Sequence, residues 1–390
     1  MKICELTQFY SPLSGGVKRY VHEKIAHVQK HRPDDEHVLV VPGAKNALAV
    51  NQQSRTYSVA SPLLSTSTQY RALLNLRAID QIIERERPDI IESSDPYQVG
   101  WTALRSGHRR SIPVVAFYHS HFADAYLRGP AERFGRGVAE TVMRASRTYI
   151  RNFYNRFEAT FAPSKGICTV LESCGLDRVH KVELGVNVEV FRPADDRAAT
   201  RDTLGVGRDR KLLLYVGRLA AEKNTNTLFE AFSILSRDDD TFHLLVIGDG
   251  QQRGRLHELE KTGAPVTWLR YCAEAEQLAR YYRAADLFVH PGVEETFGLV
   301  ALEAQACATP VVGIRGTHMD DVILHDQSTW AAENSAAALA DAITRMSRRD
   351  DRRELGRAAA TAIVERYAWP QVFERLFSIY AEVVAGYRRL

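Results

Sequence analysis

The chain has 390 residues, a length that exceeds what one hydrophobic core usually organises and therefore indicates two domains. Its 45% hydrophobic and 25% charged residues are typical of a globular protein and exclude a disordered or fibrous one. The net charge of +3 argues against a nucleic-acid partner, which requires a concentrated basic face. Scattered cysteines, a start without a signal peptide and apolar runs too short for a bilayer predict a cytoplasmic protein.

Short β-rich runs alternate with longer helical patterns, which predicts parallel sheets built from βαβ units. In the first half the predicted strands are Lys2–Phe9, His37–Val41, Asp89–Glu92, Val114–His119 and Thr160–Ala162. The predicted helices between them are Val17–His31, Gln69–Arg87, Tyr97–Ser106 and Ala131–Phe157. In the second half the predicted strands are Lys211–Val216, Phe242–Ile247, Val266–Leu269, Leu287–His290 and Pro310–Gly313, each followed by a helix-length segment.

A loop-like stretch, Gly185–Arg208, separates the two series and predicts an interdomain linker. Two such sheets in series leave a crevice at the carboxyl ends of their strands, where ligands bind in doubly wound folds. Segments that follow these strand ends are therefore the candidates for a functional site.

The most informative segment follows the strand Leu287–His290 and contains Glu295 and Glu303 with Phe297-Gly298-Leu299 between them. A helix that begins at about Phe297 would present free backbone N–H groups and the positive end of its dipole, which suit a phosphate. Glu295 would lie just outside that helix and Glu303 two turns inside it, roughly 12 Å apart by helix rise. We therefore predict that the two carboxylates contact different parts of one ligand. The alternative is a capped helix with an ordinary surface glutamate.

A second segment, Gly217-Arg218 with Lys223 five residues on, lies at the end of the strand Lys211–Val216. Arg218 as a bidentate donor and Lys223 as a point charge could clamp a diphosphate between them. The alternative is a solvated loop with an incidental pair of charges.

Two further candidates follow strands of the first half. Gly15-Gly16 forms a glycine turn after the first strand, where backbone amides can approach a ligand, although paired glycines also occur in plain loops. His119 leaves the carboxyl end of the strand Val114–His119, although a single histidine there is more often structural. All four segments fall at strand ends, two in each half, and this shared placement favours a common site.

These residues resemble the family 4 glycosyltransferases, the retaining group with the two-domain GT-B architecture, over nearly the whole chain. The matching segments are Gly15-Gly16, His119, Glu183 to Asn187 with Phe191-Arg192-Pro193, Gly217-Arg218-Leu219 with Glu222-Lys223-Asn224, Gly248-Asp249-Gly250, and Glu295 to Glu303. The resemblance implies an α/β fold of two Rossmann-like domains that face each other across a cleft. Residues 1–190 would bind the acceptor and 191–370 the nucleotide sugar, and a helix over 371–390 would pack back towards the N-terminal domain.

The resemblance also implies a hexosyltransferase that moves mannose or glucose from a UDP- or GDP-linked donor to an acceptor hydroxyl, with no metal or other cofactor. Arg218 and Lys223 would neutralise the leaving diphosphate, Glu303 would hold the ribose hydroxyls, Glu295 the hydroxyls of the donor sugar, and His119 would lie near the reacting centre. The implied donor-binding set is Gly15, Gly16, Gly217, Arg218, Lys223, Gly248, Glu295, Phe297, Gly298, Leu299 and Glu303. No residue is assigned as a nucleophile.

Three places depart from the family pattern. Residues Gly316–Asp321 replace the usual paired glycine and glutamate, the turn His325–Thr329 lacks glycine, and Arg270 stands where a glycine is common near the base. These changes leave the leaving-group residues intact and leave the donor's identity open.

The acceptor, expected to be a sugar, a glycolipid or a small molecule, would bind the N-terminal domain, where one segment is unusual. The segment from Arg133 to Phe157 contains six arginines but only one acidic residue, Glu140, and apolar residues are interleaved with the arginines. A basic amphipathic helix can lie on an anionic membrane, which predicts peripheral contact at its inner face. Alternatively, the helix packs its apolar face on the sheet and its arginines meet solvent or an anionic acceptor.

Two other functions fit the same architecture. One is a sugar-nucleotide epimerase or phosphorylase, and the other is a binding module for nucleotide sugars that has no catalytic activity. Both are disfavoured, because Arg218, Lys223, Glu295 and Glu303 form the signature of retaining transferases and His119 is also present.

Overall fold

The computed structural model describes residues 1–8, 10, 16–64, 69–119, 127, 129–295, 297–317 and 319–389. The chain divides into two compact units, which we call the N-terminal unit (Met1–Leu184 with Trp369–Leu390) and the C-terminal unit (Gly185–Ala368). Each unit is built on a sheet of mainly parallel strands with helices between them, which confirms the predicted α/β class. In the described part of the chain no helix combines the length and apolar character needed to cross a bilayer.

The N-terminal unit contains one eight-stranded sheet. Its strands are β1 (Lys2–Leu6), β2 (Glu36–Gly43), β3 (Ala47–Asn51), β4 (Ser54–Ala60), β5 (Ile90–Ser93), β6 (Val114–Phe117), β7 (Ala159–Ala162) and β8 (Val179–Lys181). The order across the sheet is β3-β4-β2-β1-β5-β6-β7-β8. The edge strand β3 runs antiparallel to β4, and the other described pairs are parallel.

The helices described before the C-terminal unit are α1 (Gly16–His31), α2 (Leu76–Glu86), α3 (Gln98–Arg110), α4 (Gly129–Glu132), α5 (Arg136–Tyr154) and α6 (Lys165–Ser173). Local chemistry explains where α2 begins and ends. The side chain of Asn75 accepts a hydrogen bond from the amide of Ala78 over 3.2 Å, and Arg87 adopts a left-handed conformation just before Pro88.

The structure corrects several predicted elements of the N-terminal unit. The helix predicted over Ala131–Phe157 is broken at Gly135, whose φ of +106° does not fit a helix, so that α4 and α5 are separate. The helix predicted over Gln69–Arg87 begins only at Leu76, and the strand predicted over Lys2–Phe9 ends at Leu6. The strands β3, β4 and β8 were missed, because the turn between β3 and β4 carries no glycine and β8 has three residues.

The C-terminal unit contains a five-stranded parallel sheet in the order β11-β10-β9-β12-β13. Its strands are β9 (Lys211–Val216), β10 (Phe242–Ile247), β11 (Val266–Leu269), β12 (Leu287–His290) and β13 (Val311–Gly313). Its helices are α7 (Arg197–Thr203), α8 (Thr225–Asp238), α9 (Arg253–Lys261), α10 (Ala275–Ala284), α11 (Leu299–Ala306), α12 (Ala336–Ser347) and α13 (Arg352–Tyr367). All five strands were predicted, because each is a mainly apolar run between polar turns.

The stretch Gly185–Arg208 is not the simple loop that the sequence predicted, since it contains α7. Arg197 and Arg201 of this helix form ion pairs with the carboxylate of Asp286, at 2.7 and 3.0 Å. The stretch is therefore partly helical and tied to the C-terminal unit.

The last helix, α14 (Trp369–Tyr387), returns to the N-terminal unit and packs on α1, as the fold prediction stated. The rings of Trp369 and Phe373 stack with centroids 5.0 Å apart, and Phe373 lies 5.3 Å from the ring of His27. Aromatic contacts thus join the two ends of the chain within one unit.

A buried group of charges lies beside these aromatic contacts; we call it the Lys24 cluster. Lys24 Nζ of α1 lies 3.1 Å from Glu5 Oε2 and 3.0 Å from Glu92 Oε1, and all three side chains are fully buried. Tyr380 of α14 donates a hydrogen bond to Glu92, and His37 Nε2 lies 3.0 Å from Glu5 Oε2. Burial raises the pKa of Glu92, as does Glu5, whereas Lys24 and His37 outweigh burial and lower the pKa of Glu5 to about 2. The cluster joins β1, β2, β5, α1 and α14 through paired charges.

Replacing Lys24 with methionine is expected to lower the free energy of unfolding of the N-terminal unit by about 3–5 kcal/mol, because Glu5 and Glu92 would stay buried without their cation. Urea unfolding followed by circular dichroism measures the change. Lys30→Met, at an exposed position of the same helix, is the matched control and should shift the free energy by no more than about 0.5 kcal/mol. Equal stability of Lys24→Met and the wild type would contradict this role of the cluster.

Candidate functional site

Two glycine turns lie side by side at the carboxyl ends of β9 and β10. The amide of Gly217 donates to the carbonyl of Ile247, and the amide of Leu219 donates to that of Asp249, each over 3.0 Å. A Cβ atom on Gly248 would lie only 1.9 Å from the carbonyl oxygen of Gly217. Gly248 has a φ of +148°, so glycine is required there both by space and by conformation.

Arg218 follows the first of these turns and points towards solvent. Its side chain is 63% exposed, and its guanidinium lies 3.1 Å from Glu222 Oε1. The hydroxyl of Tyr215 donates to the carbonyl of Arg218 over 2.9 Å and so fixes the turn. An exposed guanidinium on a fixed backbone is suited to form bidentate hydrogen bonds with an anion.

Lys223, from the same turn, pairs with Glu295, which lies 72 residues later. The ammonium of Lys223 donates to Glu295 Oε2, and His290 Nε2 lies 4.0 Å from that oxygen. Burial raises the pKa of Glu295, but the nearby ammonium of Lys223 outweighs it, so the pKa of Glu295 is lowered and the group is ionised at neutral pH. Burial lowers the pKa of His290 to about 4, which leaves its imidazole neutral at that pH.

Asn224, next to Lys223, links the turn after β9 to the turn after β12. It adopts a left-handed conformation with φ of +55°, and its side-chain amide donates to the carbonyl of Pro291 and to Asn334 Oδ1, each over 2.8 Å. The turn after β9 is thereby fixed against the turn after β12.

Gly298, which has a φ of +79°, immediately precedes helix α11. The left-handed conformation favours glycine there, and a Cβ atom would lie 2.3 Å from the sulfur of Met319, whose side chain would have to shift. Phe297 is 2% exposed, and its ring lies 6.0 Å from that of Tyr367, so its side chain belongs to the core of the C-terminal unit. The sequence predicted a helix start at about Phe297, and the first helical residue is Leu299. Phosphate binding by the free backbone amides there stays a prediction.

Glu303 lies inside α11 and is 2% exposed. The hydroxyl of Tyr282, from α10, donates to Glu303 Oε2 over 2.9 Å. Glu303 is therefore a buried carboxylate with a defined orientation, in contrast to the exposed surface glutamate that was the alternative.

The N-terminal unit holds the other predicted site residues. Gly16 is the first residue of α1, whereas Gly15 lies outside the described residues. His119 follows β6, stacks on Phe117 with ring centroids 4.2 Å apart and contacts the ring of Tyr20 edge-on at 5.0 Å. Burial lowers the pKa of His119 to about 3, so it is neutral at neutral pH. Because Tyr20 lies one turn after Gly16 in α1, His119 and the start of this helix are close together.

The predicted residues thus form two groups, one in each unit. In the C-terminal unit the structure joins segments that were predicted separately, through the contact between Lys223 and Glu295. Sequence reasoning missed His290, although it ends a strand as His119 was predicted to do. It also missed Asn224 as a link and Tyr282, which lies inside a helix and gives no local signal.

The departures from the family pattern lie beside this site. Arg270 is exposed, with its guanidinium 5.1 Å from the ring centroid of Trp268, and the indole of Trp268 donates to the carbonyl of Gly248 over 2.7 Å. Asp320 accepts the amide of Gly316 over 2.9 Å and so organises the loop that carries Met319 onto Gly298. The substituted loop therefore forms an ordered support for α11 in its described part.

The basic segment has its apolar and charged residues on different sides. Its buried members are Met143, Ile150, Phe153, Tyr154 and Phe157, which belong to the core of the N-terminal unit. The six arginines, Arg133, Arg136, Arg144, Arg147, Arg151 and Arg156, are exposed. Phe134 is 78% and Val138 is 45% exposed. The body of α5 thus packs on its own unit, as the alternative proposed, and leaves a basic face with two apolar side chains near its start.

Comparison with known proteins identifies both halves of the chain. Residues 14–190 match the family model described as Glycosyltransferase Family 4, and residues 196–362 match the model described as Glycosyl transferases group 1.

Similar proteins match over nearly the full length. A GDP-mannose-dependent alpha-mannosyltransferase of Mycolicibacterium smegmatis is 28% identical, over 100% of this chain and 99% of that protein. A GDP-mannose-dependent alpha-(1-6)-phosphatidylinositol dimannoside mannosyltransferase of Mycobacterium tuberculosis is 27% identical, over 95% of this chain and 93% of that protein. Among solved structures, sucrose-phosphate synthase from Thermosynechococcus elongatus superposes with a TM-score of 0.79, at 20% identity and over 99% of both chains. At this level of identity, the comparison with sucrose-phosphate synthase shows a shared fold.

Proposed function

Because this chain belongs to the family 4 glycosyltransferases, we propose that it transfers mannose from GDP-mannose to an acceptor hydroxyl, with retention at the anomeric carbon and without a metal ion. The two mannosyltransferases described above support the sugar and the guanine nucleotide. The arrangement of charges in the C-terminal unit supports the chemistry.

The observation that carries the proposal is the contact of Lys223 with Glu295 at the ends of two neighbouring parallel strands, next to the start of α11. A leaving diphosphate gains negative charge in the transition state, and a preorganised cation stabilises this charge more than it stabilises the substrate. Lys223 and the exposed Arg218 supply such cations. The amides of Gly298 and Leu299 would add hydrogen-bond donors without requiring a metal.

Ligand binding would rearrange two ion pairs. Glu295 is ionised, so it can accept hydrogen bonds from hydroxyls of the donor sugar while Lys223 turns towards the diphosphate. Arg218 would likewise exchange Glu222 for a phosphate oxygen. Both cations would therefore exchange a carboxylate for a phosphate oxygen and keep an anionic partner, whereas Glu295 would exchange its cation for hydrogen bonds from hydroxyls.

Glu303 and His119 would contact other parts of the donor. Glu303 lies about one turn inside α11, eight residues after Glu295, and would accept hydrogen bonds from the ribose hydroxyls. His119 is neutral and would donate or accept a hydrogen bond near the transferred sugar, with Gly16 contributing its amide at the start of α1. Retention would follow from attack on the same face as the leaving phosphate, and Glu295 is not assigned as a nucleophile.

GDP and GDP-mannose are expected to stabilise the protein in the presence of EDTA. A ligand at about 100 times its Kd adds roughly 2.7 kcal/mol to the free energy of unfolding, which a thermal-shift measurement detects. UDP, ADP and their glucose conjugates are the comparison ligands. Stabilisation by uridine nucleotides alone would contradict the mannose donor, and stabilisation that EDTA abolishes would contradict metal independence. No stabilisation by any of these ligands would contradict the proposed donor site.

Arg218→Ala and Lys223→Ala are each expected to reduce the turnover of GDP-mannose by at least about tenfold, because each removes a charge-assisted contact to the leaving diphosphate. Release of GDP measures the rate. Lys261→Ala, at an exposed position of the same unit, is the control and should keep the wild-type rate. Near-normal rates in both site variants would show that the diphosphate assignment is wrong.

We further propose that the acceptor is presented at an anionic membrane surface, which the basic face of α5 contacts. Six exposed arginines lie between Arg133 and Arg156, with Phe134 exposed near the start of the segment. Each basic residue near an anionic membrane contributes about 1 kcal/mol to binding. The relative from Mycobacterium tuberculosis, whose name includes phosphatidylinositol dimannoside, supports a lipid acceptor.

The triple variant Arg144→Glu, Arg147→Glu, Arg151→Glu is expected to lose binding to vesicles that contain phosphatidylinositol, because the charge of the face is reversed. Co-sedimentation at low salt measures binding, and high salt should weaken that of the wild type. Arg353→Glu with Arg357→Glu, on exposed positions of α13, is the control. A wild-type protein that remains in the supernatant at low salt would exclude this membrane contact.

A further inference from the structure

A tyrosine that none of the sequence motifs contains touches the carboxylate proposed to bind ribose. Tyr282 is fully buried in α10, and its hydroxyl donates to Glu303 Oε2 over 2.9 Å. Glu303 is itself 2% exposed, so the hydrogen bond lies out of bulk water. A hydrogen bond to a charged acceptor in such surroundings contributes more than one at the surface.

Tyr282 is held in place by contacts on several sides. Its ring centroid lies 6.0 Å from that of Phe191 and 5.6 Å from that of Phe288. Its backbone carbonyl accepts the hydroxyl of Thr309 over 2.6 Å. The phenol therefore has little freedom, and it transmits this rigidity to the carboxylate that it contacts.

A carboxylate that binds two neighbouring hydroxyls must present its oxygens in one orientation. Glutamate has three side-chain torsions, and fixing them on ligand binding costs conformational entropy. A hydrogen bond at Oε2 fixes the carboxylate plane before the ligand arrives, so binding does not bear that cost.

We propose that Tyr282 is a positioning residue for the donor nucleotide, which holds Glu303 in the orientation that accepts hydrogen bonds from the ribose hydroxyls. The inference rests on the proposed function, because the ribose role of Glu303 belongs to it. Tyr282 thereby contributes to the preference for a ribonucleotide without touching the ligand.

Tyr282→Phe removes the hydroxyl and keeps the ring, so packing against Phe191 and Phe288 is retained. We expect this variant to bind GDP about tenfold more weakly, which corresponds to the loss of one hydrogen bond to a charged group. Affinity for 2′,3′-dideoxy-GDP should stay within about twofold, because that ligand has no ribose hydroxyl for Glu303 to bind. Isothermal titration calorimetry measures both dissociation constants, and UDP and its dideoxy analogue are measured in parallel.

Two further variants complete the test. Tyr281→Phe, at the half-buried neighbouring tyrosine of α10, is the matched control and should keep the wild-type preference for GDP over its dideoxy analogue. Glu303→Gln should lower that preference, and adding Tyr282→Phe to it should have little further effect if the two residues act through one interaction.

The outcomes separate this inference from the function on which it rests. A Tyr282→Phe protein that keeps the wild-type preference, even with weaker binding overall, would overturn the positioning role and leave a packing role. A wild-type protein without preference for the ribonucleotides would overturn the ribose role of Glu303, and the inference with it. A preference lost in Tyr282→Phe and kept in Tyr281→Phe would support the inference.

Discussion

Parallel strands bring their carboxyl ends to one edge of a sheet, and this constraint determines which of the residues proposed to bind the donor lie together. In the C-terminal unit β9, β10 and β12 are neighbours, so the segments that follow them must meet. The glycines after β9 and β10 allow these two turns to approach each other closely. The contact of Lys223 with Glu295 then joins the turn after β9 to the segment after β12. The proposed donor site therefore follows from the order of the strands and from glycines that permit close contact between the turns.

Charge pairing explains how such a site is stable without its ligand. Arg218 pairs with Glu222 and Lys223 pairs with Glu295, so the cations proposed to bind a diphosphate already have partners. Exchange of these carboxylates for phosphate oxygens would keep both cations paired with an anion, and sugar hydroxyls would supply hydrogen bonds to Glu295. The neutral His290 beside the pair adds polarity without adding a second positive charge.

Burial of charge has a different role in the N-terminal unit. The Lys24 cluster joins three strands to the first and last helices, and α14 reaches it through the hydroxyl of Tyr380. His119 lies near this cluster through its contact with Tyr20, which also approaches Lys24. His119, which follows β6, is thus held near the start of α1 by packing that involves residues from both ends of the chain.

The sequence by itself predicted two sheets of parallel strands and all five strands of the second one, because apolar runs are local signals. It also predicted the segments that carry His119, Arg218 and Glu295 at strand ends. It could not determine β3 and β4, whose turn has no glycine, or the break of the basic helix at Gly135. It predicted Lys223 and Glu295 as separate contacts, whereas their pairing across 72 residues depends on which strands become neighbours. The roles of Tyr282 and of the Lys24 cluster were likewise decided by tertiary structure, because a hydrogen bond between distant residues leaves no pattern along the chain.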